Sequence, residues 1–175
     1  MSRTNRRSFR AAGYKVKRRS ELVRLIESEK ANGRTVVLTN GCFDILHIGH
    51  VRYLQDARAL GDLLVVGVNS DDSVRRLKGP DRPVVPEFER VEILYALECV
   101  DYVTIFTEET PIELILAIRP DIHVKGGDYR PENMPEADAV RAVGGRIEIV
   151  SYTSTETQGR STTNLIGQIV KTHKG

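Results

Sequence analysis

Two histidines three positions apart, His47 and His50, bracket Gly49 at the end of the stretch TNGCFDILHIGH, which runs from Thr39 to His50. Imidazoles donate hydrogen bonds near neutral pH, so a pair at this spacing can hold one phosphoryl group between them. Gly49, without a side chain, would let a polyphosphate come close to the backbone. The stretch lies between an apolar run, Val36 to Thr39, and a helical pattern, His50 to Leu60. A turn from strand into helix offers unpaired N–H groups and the positive end of a helix dipole, which together favour phosphate. One loop histidine is ordinarily structural; two around a glycine at such a turn point to chemistry on a phosphate.

Other groups with matching chemistry are spread along the chain. Arg160-Ser161-Thr162-Thr163-Asn164 opens a late helical pattern, 110 residues after His50. Its hydroxyls, backbone amides and arginine suit terminal phosphates, although Ser161 alone would read as a helix cap. The loop Leu77 to Pro83 carries Lys78 and Arg82, cations able to neutralise phosphate or, equally, to sit solvated on a surface. Lys125-Gly126-Gly127-Asp128 follows another apolar run, where the glycines allow close approach or simply a turn.

These groups need a scaffold, and the hydropathy pattern supplies one. Apolar runs at Val36 to Thr39, Leu63 to Val68, Tyr102 to Phe106, Ile122 to Lys125 and Arg146 to Ser151 read as strands. Helical patterns alternate with them at His50 to Leu60, Glu87 to Glu98, Pro111 to Ile118, Glu136 to Val143 and Thr163 to Lys171. The expected fold is α/β: a Rossmann-like, doubly wound, mostly parallel five-stranded sheet with helices on both faces. Ligands then gather beyond the carboxyl ends of the strands, where the histidines and the Lys125 segment lie. An accessory helix is expected from Ser20, as its cap, to Gly33. The expected organisation is a basic tail at 1–14, the accessory helix at 15–34 and one domain at 35–175.

Composition narrows the classes. A chain of 175 residues with 40% hydrophobic content can bury one core and leave a cleft. Its longest apolar runs fall short of the roughly 20 residues needed to span a bilayer, and the N-terminus shows no apolar signal core, so a cytoplasmic protein is expected. Cys42 and Cys99 show no metal-ligand or redox spacing and are expected to be reduced thiols without a function. The net charge of +2 conceals an asymmetry: Met1 to Arg19 holds eight Lys or Arg and no acid. Disorder explains such a tail more simply than nucleic-acid binding. The lone His123 is expected to be structural, and His173 solvent-exposed.

With these residues in view, the segment from Gly41 to His50 resembles the G-x-F-D-x-x-H-x-G-H signature of the cytidylyltransferase-like nucleotidyltransferase superfamily. The resemblance implies that His47 and His50 stabilise the transition state, aided by Lys78 and by Arg90, which would reach back from a helix. It implies nucleotide and phosphate contacts from Asn40, Gly41, Phe43, Asp44, Gly49, Lys125, Gly126, Asp128, Arg160, Ser161, Thr162 and Thr163. Asp71 and Arg82 would meet the second substrate. Mg²⁺ would arrive with the nucleoside triphosphate, without assured direct protein ligands, and a homodimer is implied.

Within the superfamily, TNGCFDILHIGHVRYLQDAR, the RLKG and RPV runs, VKGGDY and STTN are most similar to the adenylyltransferases of ADP-heptose synthesis. They imply AMP transfer from ATP to D-glycero-β-D-manno-heptose 1-phosphate for lipopolysaccharide core assembly. No kinase-sized segment accompanies the pattern, so a stand-alone form beside a separate kinase is expected. Arg160 ahead of the Ser-Thr-Thr turn also resembles glycerol-phosphate cytidylyltransferases, which leaves CTP and an alcohol phosphate as an alternative. A class I aminoacyl-tRNA synthetase would need a tRNA-binding module and a KMSKS-like loop that are not seen. An alternative of another class is a nucleotide-sensing or nucleic-acid-binding protein with a vestigial turn.

Overall fold

A computed structural model describes residues 15–127, 134–150 and 162–172. Segment 1–14, Asp128, Arg160, Ser161 and His173 lie outside the described residues. The elements run α1 (Arg19–Ala31), β1 (Val36–Gly41), α2 (Ile48–Arg58), β2 (Leu63–Asn69), α3 (Asp71–Lys78) and α4 (Glu87–Tyr95). They continue with β3 (Tyr102–Phe106), α5 (Ile112–Ile118), β4 (Ile122–Gly126), α6 (Ala137–Ala142), β5 (Arg146–Val150) and α7 (Thr162–Thr172).

The strands form one sheet in the order β3-β2-β1-β4-β5, with every pairing parallel. Alternation along β1 explains the two covered faces. Val37 joins Leu54 and Ala57 of α2 and Val91 and Leu94 of α4 on one side. Val36 and Leu38 meet Leu22 and Ile26 of α1, Leu114 and Ile115 of α5 and Val140 of α6 on the other. Each such fully buried aliphatic side chain contributes about 1.5–3 kcal/mol relative to exposure. Gly67 in β2 lets α5 close on the sheet, because a Cβ there would stand 2.6 Å from Leu114 Cδ2. The order turns back at β1: the chain moves outward through β2 and β3, then returns to lay β4 on the other edge of β1. The crevice between the carboxyl ends of β1 and β4 is where open α/β sheets bind ligands.

Three local expectations are corrected. Helix α1 begins one residue before Ser20; Arg18 occupies the cap position and makes no side-chain capping bond. Gly33 does follow the helix with φ of 80°. The α4 pattern stops at Tyr95 rather than Glu98. Residues 71–78 form the polar helix α3, so Leu77 and Lys78, expected in a loop, are its last residues. The Ser70 hydroxyl accepts from Ser73 N at 3.2 Å, Asp71 and Asp72 sit in the first turn, and Arg75, Arg76 and Lys78 in the last. That charge order matches the helix dipole.

Candidate active site

The histidine turn is a helix cap built from its own chemistry. His47 is the N-cap of α2, with extended backbone at φ −140°. Its Nδ1 accepts from Gly49 N at 3.2 Å, while His50 Nδ1 accepts from His47 N at 3.4 Å. The two side chains therefore cap the helix reciprocally, as a Ser/Glu capping box does. A neutral imidazole that accepts through Nδ1 carries its proton on Nε2, so both rings become Nε2–H donors. The rings lie 3.9 Å apart, and Phe43 meets His50 edge-on at 5.5 Å. Burial, followed by the repulsion of His47, lowers the His50 pKa from 6.5 to about 4.

The loop before α2 is held on both sides of a left-handed residue. Phe43 has φ of 47°, an uncommon conformation for an aromatic residue. On one side, Cys42 O accepts from Arg90 Nη1. On the other, the buried Asp44 carboxylate accepts from Val84 N, Val85 N and Arg82 Nε at 2.6–3.0 Å. Burial would raise the Asp44 pKa, but the backbone donors of Val85 and Val84 and the Arg82 guanidinium outweigh it and hold the carboxyl below its usual range. Asp44→Ala should therefore release the loop around Arg82. Stability is expected to fall by about 2–3 kcal/mol, from lost charge-assisted bonds, with faster limited proteolysis between Gly79 and Pro86. An unchanged thermal midpoint and cleavage pattern would refute this role.

These elements surround a cleft of about 640 Å³. Of the expected residues, Asn40, Gly41, Phe43, Asp44, His47, His50, Lys78, Arg82, Lys125, Gly126, Thr162 and Thr163 line it. Thr162 Oγ1 also donates to Ile45 O at 3.3 Å, tying the start of α7 to the loop before α2 across 117 positions. Among the described residues Lys78 makes no ion pair, and Arg82 bonds through Nε alone. Burial raises the Cys42 thiol pKa against the pull of Lys78, Arg90 and Arg82, so this cleft residue is a neutral thiol.

Three expected residues stand elsewhere. Gly49 is buried in the first turn of α2 and does not line the cleft. Arg90, 1% exposed, lies outside the lining. Its guanidinium donates to Val85 O, Cys42 O, Asn69 O and Asp71 Oδ1, joining the segments beneath the cleft. Asp71 is thereby a partner of Arg90 and not part of the cleft wall.

The cleft also contains residues that the sequence did not single out. Tyr53 Oη donates to Val124 O at 2.9 Å and shares a 2.5 Å hydrogen bond with Thr39, joining α2 to β4 and β1. Glu109, Thr110, Pro111, Met134, Pro135 and Glu136 also line the cleft. Their position after β3 and β4, at the ligand edge of the sheet, was the available signal.

Comparisons with known proteins give the chain a family. A family model described as cytidylyltransferase-like matches residues 38–168. The bifunctional protein HldE of Pelobacter propionicus is 57% identical over 157 residues, covering 90% of this chain and 31% of that protein. The bifunctional protein HldE of Pectobacterium carotovorum is 49% identical, covering 90% of this chain and 32% of its own length. The chain thus spans about a third of these curated relatives. A crystal structure of the lipopolysaccharide core biosynthesis protein from Thermoplasma volcanium superposes with a TM-score of 0.56 at 33% identity, covering 68% of this chain and 96% of that one. With the family model spanning most of the chain, and the paired histidines capping the helix that opens the cleft, the protein belongs to the cytidylyltransferase-like family of nucleotidyltransferases.

Proposed function

We propose that the protein transfers AMP from ATP to D-glycero-β-D-manno-heptose 1-phosphate, giving ADP-heptose and pyrophosphate. The observation that carries nucleotidyl transfer is the reciprocal cap of His47 and His50, which presents two neutral Nε2–H donors at one wall of the cleft. The heptose acceptor is supported by the likeness to the HldE proteins and by the sequence runs shared with adenylyltransferases of ADP-heptose synthesis. That same resemblance supports a homodimer. No helix among the described residues is long and apolar enough to cross a membrane.

The chemistry needs no general base, because a phosphate monoester with a second pKa of about 6 is already largely dianionic at neutral pH. An acceptor phosphate oxygen attacks the α-phosphorus, the bond to the bridging α,β oxygen breaks, and pyrophosphate departs. His47 and His50 donate to the oxygens on which charge accumulates, while Lys78, Arg82, Thr162 and Thr163 hold the polyphosphate and the acceptor. Arg90 keeps the cleft floor in place. Among the described residues, no three His, Cys, Asp or Glu side chains converge as a metal site, and both Asp44 oxygens are engaged. The family resemblance supports Mg²⁺ arriving with the nucleoside triphosphate, where it would neutralise phosphate charge.

Pyrophosphate release with Mg²⁺, testing ATP and CTP against heptose 1-phosphate and glycerol 3-phosphate, separates the readings. Release with ATP and heptose 1-phosphate alone is expected. Release with CTP and glycerol phosphate, or with no pair, overturns the proposal.

A further inference from the structure

Lys125 lines the cleft at the carboxyl end of β4, with its side chain 17% exposed. Its ammonium lies 2.9 Å from Asn40 Oδ1, at the end of β1, and 2.9 Å from Glu136 Oε1, just before α6. A lysine side chain is flexible, and an ammonium has three N–H donors. Two are directed here by oxygens from different elements, and among the described residues no acceptor takes the third.

Glu136 is the unexpected member of this set. It is 3% exposed, in a place where burial opposes charge. Burial would raise its pKa, but His123 and Lys125 outweigh this and hold it down to about 2. His123 is fully buried, and its Nε2 stands 3.6 Å from the same Oε1. Its own pKa is lowered, by burial first, so at neutral pH the pair is an anionic Glu136 with a cationic Lys125. A buried ion pair is a weak source of stability, because apolar side chains of similar volume often serve the fold as well. This pair instead sits in the wall of the cleft, at the crevice between β1 and β4.

We infer that Glu136 is a positioning residue: together with Asn40 it holds the Lys125 ammonium in the cleft wall, aimed at a phosphate of the bound nucleoside triphosphate. The inference rests on the nucleotidyl-transfer reading for its ligand. Glu136 itself touches no substrate and acts through Lys125.

The test is calorimetric titration of the full chain with ATP and with CTP, each with Mg²⁺, for wild type, Glu136→Gln, Lys125→Met and the double variant. Glu136→Gln should weaken binding of the nucleotide that wild type accepts by about ten- to a hundredfold, the range for one charge-assisted contact. In the Lys125→Met background the same change should cost little more. Steady-state kinetics should show a raised KM for the nucleotide, with KM for the acceptor unchanged. Glu136→Asp, which retains the charge but withdraws it by one methylene, repeats the test should the glutamine variant fold poorly, and should show an intermediate loss. Wild-type affinity in both Glu136 variants overturns the inference, as does a loss that adds in full to that of Lys125→Met. Failure of wild type to bind either nucleotide would instead overturn the nucleotidyl-transfer reading and this inference with it.

Discussion

Replacing His50 by alanine is expected to slow pyrophosphate release about 10²- to 10³-fold, the usual cost of removing one preorganised donor to a developing oxyanion. The fold should survive, because the side chain contributes one long capping bond, to His47 N at 3.4 Å. Near-normal turnover would remove the paired imidazoles from the mechanism. The same variant carries a pH signature. In the folded chain the His50 pKa is lowered to about 4, by burial and then by His47. Between pH 6.5 and 4 the unfolded chain therefore binds more protons than the folded one, and stability falls as pH falls through that window. Thermal midpoints measured from pH 7 to 4 should drop for wild type and drop less for His50→Ala. His123, also lowered by burial, retains part of the slope. Glu136, held at about 2, adds its own loss only below pH 4.5. Equal slopes in the two proteins would contradict this account.

Arg90→Ala should be the most damaging single change to the fold, with a loss of about 3–5 kcal/mol, typical of removing one partner from a buried ion pair. It would orphan three backbone carbonyls, from Cys42, Asn69 and Val85, and strip Asp71 of its cation. Lysine should not rescue it, since a compact ammonium cannot reproduce a planar fork that reaches four acceptors. Asp71→Ala should cost less, because the three carbonyl contacts remain and Asp71 is itself 23% exposed. Urea unfolding should show a lower midpoint at unchanged m-value. Wild-type stability combined with lost nucleotide binding would instead place Arg90 against the ligand.

The residues differ in how far they could be read from the chain. The cap formed by His47 and His50 was legible as a helix start because it is closed within three residues, and both capping bonds run between neighbours. The central strands were legible because they are buried on two faces and read as near-continuous apolar runs, as Leu63–Asn69 does, whereas β5 is only partly buried. Helix α3 was not, since of its eight residues only Ser73 and Val74 are buried, and its signals were a serine cap and an ordering of charge. Arg90 was placed on the right helix, but of the three carbonyls it holds only that of Val85 is near in sequence, those of Asn69 and Cys42 lying 21 and 48 residues away.

Sequence alone thus determined an α/β fold, a helix start with two histidines and the candidate cations, because propensity, alternation and capping are local properties of the chain. Only the tertiary structure decided which cations face the cleft and which support it. Lys125 meets Asn40 across 85 positions and Arg82 meets Asp44 across 38, pairings that exist once the sheet order brings β4 against β1 and the loop after α3 over the histidine turn. A buried charge is tolerated only where its partner and its hydrogen bonds are supplied, and in this chain the supply comes from segments that neighbour one another only in space.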